Sequence, residues 1–367
     1  MSMLAALILL ASAQAAYDPF ETRRPESRER MLKYGGGSAE TEAALAKALA
    51  WLTKAQKPDG SWDATEDQFT VGMTGLSLLA FLGAGHSPAS ADYGAAIQKG
   101  IKYLRSVQDA DGCVGAQSGK CIVNHAIATA AIAEARAMSS DHVDLNSAQK
   151  AVNFLLVAQN PGLGWRYVAQ GGDNDTHVTA WAVCALYSAE QGLLAFPKTT
   201  YESAMAWLEK ITDDAGRARY IVNPQAMIPG RDEMFDFHPT PTAMSMLSRR
   251  LMTKVRRSPP LLGGTKILAK DLPRWGKTST DYCYWYFGSL ALYMVDGPEG
   301  ETWKAWNEAL KPALLKHQVV EGKEAGSWDP VDRWSTHLES RVYATAINAL
   351  TLETYYRYVK FFRGDEK

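Results

Sequence analysis

The sequence predicts an all-α protein of six helical hairpins, arranged in two concentric layers that close into one ring. Three observations carry this. A signature recurs at a near-constant period, an apolar helical pattern follows each copy, and the units fill the chain from residue 38 to about residue 360. The segments "KALAWLTKAQKPDGSW" (47–62), "KGIKYLRSVQDADGCV" (99–114) and "KAVNFLLVAQNPGLGW" (150–165) share Lys, a small residue, an aromatic, Leu and Gln at matching places. Gln56, Gln108 and Gln159 therefore recur at 52 and 51 residues, and a fixed period of this size marks a repeat architecture. A weaker copy, "SAMAWLEKITDDAGRA", starts at Ser203. A last one carries Gln318 and ends at Trp328, and the spacing leaves room for a decayed unit near "GTKILAKDLPRW" (264–275).

The first helix of each pair is amphipathic, with Lys and Glu on one face. The second is apolar or small nearly all round: "FTVGMTGLSLLAFLGAG", "CIVNHAIATAAIAEARA", "DTHVTAWAVCALYSAEQG", "HPTPTAMSMLSRRL", "DYCYWYFGSLALYMV" and "SRVYATAINALTLETYY". A helix apolar on every side is buried. The alternation thus predicts an exposed outer layer and a buried inner one, closed on itself without the capping repeats of an open solenoid.

Ahead of the ring, "MSMLAALILLASAQAAYDP" joins a short apolar run to the small-residue pattern Ala13-Gln14-Ala15. This reads as a secretory signal (residues 1–15), although its start carries no Lys or Arg. Residues 16–37 are charged and Pro/Gly-punctuated, a tether or wrapping arm rather than core; the toroidal domain takes residues 38–360 and a polar tail 361–367. The expected location is therefore exported, periplasmic or extracellular. No stretch is apolar for long enough to span a bilayer.

The chain has 367 residues, net charge −1, 11 Trp and 16 Tyr. Such a composition supports a sizeable core, and the charge offers no basic face for a nucleic acid. The local exception, "RRLMTKVRRSPP" (249–260), reads as a solvated helix end. Cys113 and Cys121 bracket a short polar loop, and in an exported chain such a pair is expected to form a disulfide, with a two-Cys metal site as the rival. Cys184 and Cys283 fall inside apolar patterns and read as buried small residues.

The repeats resemble the Gln-Trp repeats of the squalene-hopene and oxidosqualene cyclases. The pattern there is Lys or Arg, Gly or Ala, two residues, an aromatic, an aliphatic, three residues, Gln, a short gap and Gly-x-Trp. Residues 47–62 satisfy every position, Val114 replaces the Trp of the second copy, and the third keeps Gln159 and Trp165. The chain is also similar to a broad group of bacterial proteins with a "YWYFGSLAL"-like segment and a C-terminal "GSWDP…DRW…RVYATA" block. The resemblance implies the α/α toroid, a fold shared with protein prenyltransferase β-subunits and complement-like thioester domains. It also implies a structural role, tying hairpins together, for Gln56, Trp62, Gln108, Gln159, Trp165, Gln318 and Trp328.

In that fold, the loops feeding the inner helices gather at one end of the ring around a central cavity. The polar candidates there are Thr74, Asn124, His125, Asp173, Asp175, His177, His238, Asp281, Cys283 and Arg341, with Trp181, Tyr284, Trp285 and Tyr286 as aromatic walls. The cyclases protonate an alkene with Asp-x-Asp-Asp; here the sequence is Asp173-Asn174-Asp175-Thr176, at a place where Asp or Thr is the ordinary helix cap. The resemblance further implies that active cyclases are about twice this length, with two rings. Zinc-dependent prenyl transfer needs Asp-x-Cys-Tyr and a later His. Asp281, Cys283 and Tyr284 fit, and His337 is the only His near the third place. The thioester motif Gly-Cys-x-Glu-Gln is missing. Paired carboxylates drawn from Asp173, Asp175 and Asp281 would suit cleavage of a polysaccharide. Arg341 reads as an ion pair with Asp329 or Asp332 that closes the ring between the last and first hairpins.

The expectation is an exported toroid that binds an apolar, glycan or peptide ligand in its central cavity, through His125, His177, Trp181, His238, Tyr284, Trp285 and Arg341. The alternative is an enzyme of the same fold acting through Asp173, Asp175 and Asp281. No cofactor is expected; zinc is the one metal that the residues raise.

Overall fold

The computed structural model describes residues 18–64, 66–222, 238–253, 255–332 and 340–358. After a short N-terminal turn come α1 (Pro25–Gly35) and then two alternating sets of helices. The outer set is α2 (Ala39–Ala55), α4 (Gly94–Ser106), α6 (Leu145–Ala158), α8 (Thr199–Ile211), α10 (Pro259–Leu268) and α12 (Glu301–Leu315). The inner set is α3 (Thr70–Gly83), α5 (Cys121–Met138), α7 (Thr176–Gln191), α9 (Thr240–Met252), α11 (Tyr282–Val295) and α13 (Arg341–Leu352), followed by the single turn α14 (Thr354–Arg357). Each inner helix packs on the next, and α13 packs back on α3, so the inner layer is a closed ring. No β-strand occurs among the described residues, only three isolated bridges.

Local chemistry sets the helix starts. Ser38 and Thr41 form a reciprocal capping box at α2, and Asp144, Asp175, Asp281 and Ser340 each accept a backbone N–H at the start of their helices. Close approach inside the ring depends on small residues. Gly75 of α3 lies against α5 so tightly that a Cβ there would stand 2.9 Å from the backbone of Ala128.

The recurring Gln is the clamp between units. Gln56 Nε2 donates to Gly60 O of its own turn (3.0 Å) and to Ala96 O at the start of the next outer helix (2.9 Å). Gln108 does the same with Gly112 and Ser147, and Gln159 with Leu163 and Thr200. Gln318 spans the seam: it donates to Gly326 O (2.9 Å) and to Ala44 O of α2 (2.8 Å), tying the last unit to the first. Each turn also presses on its neighbour. Gly60 sits at φ +96°, and a Cβ on it would meet Lys99 O at 2.3 Å. The recurring Trp is buried between layers: Trp62, Trp165 and Trp328 donate Nε1–H to Leu52 O, Leu155 O and Leu314 O. The backbone N–H of each is received by a threonine of the following inner helix, Thr74, Thr179 and Thr345.

Of the two readings of the N-terminal segment, its described residues fit a wrapping arm rather than a tether: Phe20, Thr22, Arg23, Met31 and Leu32 are all buried. The reading of 249–260 as a solvated helix end is corrected at its start. Arg249 and Arg250 are buried on α9, and Arg256 donates to Val295 O and Asp296 O at the end of α11.

Candidate functional site

The N-termini of the inner helices form one mouth of the ring, and "DNDT" lies on its rim. Every residue of that stretch is committed to local structure. Asp173 is partly exposed and pairs with Arg166 at 3.3 Å, while its carbonyl accepts from Asn160 Nδ2. Asn174 accepts from the same amide at 3.0 Å. Asp175, fully buried, caps α7 by receiving Val178 N–H on Oδ1 at 2.7 Å. The Thr176 hydroxyl donates to Arg219 O at 2.6 Å. Asp281 repeats the cap on α11, with Oδ1 receiving Tyr284 N–H at 2.8 Å. Asp175 and Asp281 thus head α7 and α11, which are separated in the ring by α9.

Below the mouth, aromatic rings of two inner helices meet. Trp181 of α7 stacks on Tyr286 of α11 (centroids 5.8 Å apart, 14° between planes) and meets Phe287 edge-on. Because α7 and α11 flank α9, these rings meet on the lumen side of that helix. The Trp181 indole N–H donates to His177 Nε2 at 3.2 Å, which fixes the imidazole at the rim. Across the mouth, His238 hydrogen-bonds the Thr240 hydroxyl, stands edge-on to Tyr284, and has Nε2 3.8 Å from Asp281 Oδ2.

Four of the seven expected cavity residues lie elsewhere. His125 faces the outer layer: its Nδ1 receives Val114 N–H at 3.0 Å, Nε2–H donates to Ala151 O at 2.9 Å, and the ring meets Phe154 edge-on. Tyr284 also points outward, against Trp306, with its hydroxyl donating to Asp271 O. Trp285 packs between layers with Tyr282 and Trp275, and Trp275 in turn lies flat on His317 at 3.8 Å. Arg341 pairs with Asp329 and, at 3.5 Å, with Glu324, which also accepts from Trp51 Nε1 of α2. That pair joins last unit to first, but it is partly exposed rather than buried. His177, Trp181 and His238 remain at the mouth.

The zinc expectation rests on Asp281, Cys283 and His337. His337 lies outside the described residues. Burial pushes the Cys283 thiol well above its ordinary range, so its thiolate is disfavoured as a ligand. No group of three metal-ligating side chains occurs among the described residues. Cys113 and Cys121 are both buried thiols with sulfurs 3.2 Å apart. The neighbouring Cys121 sulfur raises Cys113, and Cys121 itself is lowered by the hydrogen bond from Cys113.

Sequence reasoning missed the opposite end of the ring, where four ionisable side chains are buried together. Glu134 of α5 is bridged by Arg23 (2.6 Å) and by Arg357 (3.1 Å), and Arg357 also holds Glu353 at 2.8 Å. The available signal was a lone Glu in the otherwise apolar "CIVNHAIATAAIAEARA" and a Glu and an Arg in "TLETYYRY".

No family model matches this sequence, and no curated protein matches it. Solved structures do. The type II terpene cyclase MstE from Scytonema superposes with a TM-score of 0.58 at 15% identity, over 88% of this chain and 98% of that one. The α-1,6-mannanase GH76A of Salegentibacter sp. HEL1_6 gives 0.59 at 10%, over 85% and 99%. An α-amylase from Clostridium perfringens gives 0.56 at 11%, over 86% and 98%. The chain has the α/α toroid fold in common with these enzymes. The cyclase match also corrects the length argument, because one ring of this size accounts for 98% of that cyclase.

Proposed function

We propose that this protein is an exported binding toroid without catalytic activity, engaging its ligand at the rim of the inner-helix mouth. One observation carries the reading: Asp175 and Asp281 each hold a backbone N–H of their own helix start on Oδ1. A carboxylate oxygen that already receives the backbone N–H of its own helix start is committed to capping rather than turned to a substrate. The aromatic packing of Trp181, Tyr286 and Phe287 supports a ligand that lies on the rim, a glycan or a peptide segment, over an apolar chain drawn inside. His177, Asp173 and Arg166 supply polar contacts there, beside the Trp181–Tyr286 floor.

The test is binding of the purified protein to cell-envelope glycan fragments and to a displayed peptide library, with His177→Ala as the control. Saturable binding lost in the variant supports the reading. Turnover of a polysaccharide or polyprenyl substrate, abolished by Asp281→Asn, overturns it.

A second reading, an enzyme of this fold, is favoured by one contact. The buried Asp281 carboxylate has an imidazole 3.8 Å away in His238, an arrangement able to move a proton at the mouth. The same turnover assay decides between the two.

A further inference from the structure

The ring's second end, at the C-termini of the inner helices, is stoppered by the chain itself. Arg23 enters from the arm with its side chain almost wholly buried. One Nη donates to Glu134 Oε1 (2.6 Å) and to Leu82 O (3.1 Å), and the other to Arg357 O (3.3 Å). These acceptors belong to the ring, and Leu82 O and Arg357 O lie at helix C-terminal ends, where the macrodipole is negative. Arg357 already contacts Glu134 and Glu353 from within the ring, so the place Arg23 fills is a separate one. The neighbouring pair is itself tightly seated: a Cβ on Gly83 would fall 1.7 Å from Glu353 Oε2 and 1.9 Å from Arg357 Nη1.

We propose that this end of the ring is a guanidinium-binding socket whose resident ligand is Arg23. The contacts are those of a planar cation held along its outer edge. Both terminal nitrogens are bonded, while Nε has no hydrogen-bond partner among the described residues, and a small void lined in part by Phe20, Arg23 and Ser188 lies alongside. Recognition therefore needs the guanidinium plane and not the stem, and an ammonium, with one compact centre, cannot reach acceptors on three helices at once. The arm that delivers the group turns on Gly36 (φ +86°), whose carbonyl is held by Asn307 and Lys311. Beyond that pivot its polar hold on the ring includes Thr22, Arg23 and Arg28. The chemical class of ligand is a guanidinium group, free or on an arginine side chain.

The test uses the full chain and is independent of the mouth at the other end. Arg23→Ala is expected to lower the Tm by roughly 5–15 °C, because Glu134 loses a buried partner. Guanidinium chloride at millimolar, non-denaturing concentration is then expected to raise the Tm of the variant while leaving the parent unchanged or lower. Ammonium and sodium chloride at the same ionic strength are expected to do neither. Arg23→Lys, which fills the stem and keeps the charge, is expected to recover only part of the loss. If Arg23→Ala does not fold alone, recovery of folded protein in guanidinium but not in ammonium supports the socket. An equal response of the variant to all three salts, or guanidinium lowering its Tm as it does the parent's, overturns the proposal.

Discussion

His125 Nδ1 accepts the backbone N–H of Val114 at 3.0 Å, at the place where Thr74, Thr179 and Thr345 accept from Trp62, Trp165 and Trp328. The second repeat has lost its Trp and its Thr together. The imidazole does both jobs, satisfying the turn and filling space between layers against Phe154.

That bond demands a neutral imidazole, and burial lowers the His125 pKa to about 4. The unfolded chain binds this proton near pH 6.5, so the contribution is complete above 6.5 and is lost as pH falls towards 4. The loss at full protonation is about 3 kcal/mol. Denaturant melts between pH 4 and 7 are expected to show this slope, and His125→Gln to flatten it.

Val114→Trp alone is expected to overpack, since the imidazole occupies the space, at a cost of about 1–3 kcal/mol. Adding His125→Thr restores the Trp–Thr arrangement of the first, third and last repeats. A double-mutant cycle by urea unfolding should give a favourable coupling of at least 1 kcal/mol in order of magnitude.

Glu353 and Glu134 sit in one charge cluster but differ in role. Burial raises Glu353 to about 8, so it carries a proton at neutral pH and loses it only at alkaline pH. A carboxyl raised on folding stabilises at low pH and costs stability as pH climbs towards 8. Glu353→Gln, which mimics the protonated form, is therefore expected to be near neutral below about pH 4.5 and to stabilise increasingly as pH rises towards 8. Glu134→Gln strands two arginines and is expected to cost about 3–5 kcal/mol. Chemical denaturation of the two variants at pH 7 and pH 9 checks both.

Asp175 is a cap before it is anything else. Asp175→Asn keeps an oxygen for Val178 N–H and is expected to leave stability within about 0.5 kcal/mol, while Asp175→Ala costs about 1–2 kcal/mol. Ligand binding at the rim should follow stability in both variants. A large loss of function in a stable Asp175→Asn would reveal an acid instead.

Cys113 and Cys121 need little movement to join, with sulfurs 3.2 Å apart. Protein recovered from an oxidising compartment is expected to carry this disulfide, seen as a cross-linked peptide after digestion. Cys184 and Cys283, buried in α7 and α11, should label only after unfolding.

The ring is legible in the sequence because its clamps are chemical. A Gln that must reach two carbonyls and a Trp that must fill one gap leave the same letters at the same period. The mouth is less legible because facing is a matter of register. Trp285 follows its cap Asp281 by four residues, as Thr179 follows Asp175, and so it points between the layers. Neither Trp285 nor His125 looks like a threonine, and the shared position emerges only from the hydrogen bonds and packing. The buried charge cluster was hidden for a further reason. Its members come from distant parts of the chain, and one of them, Arg23, from a segment whose composition resembles a linker.

The Thr22 hydroxyl donates to Tyr356 O at 2.7 Å, so the first and last described turns are stitched to each other across 334 residues. Gln318 closes the seam as Gln56, Gln108 and Gln159 close three other junctions, so the seam is held in the same way as they are. The molecule is topologically close to a circle with one arbitrary cut. Joining the two ends and reopening the chain at an exposed turn, such as that around Gly162, should return the same ring by a different order of synthesis.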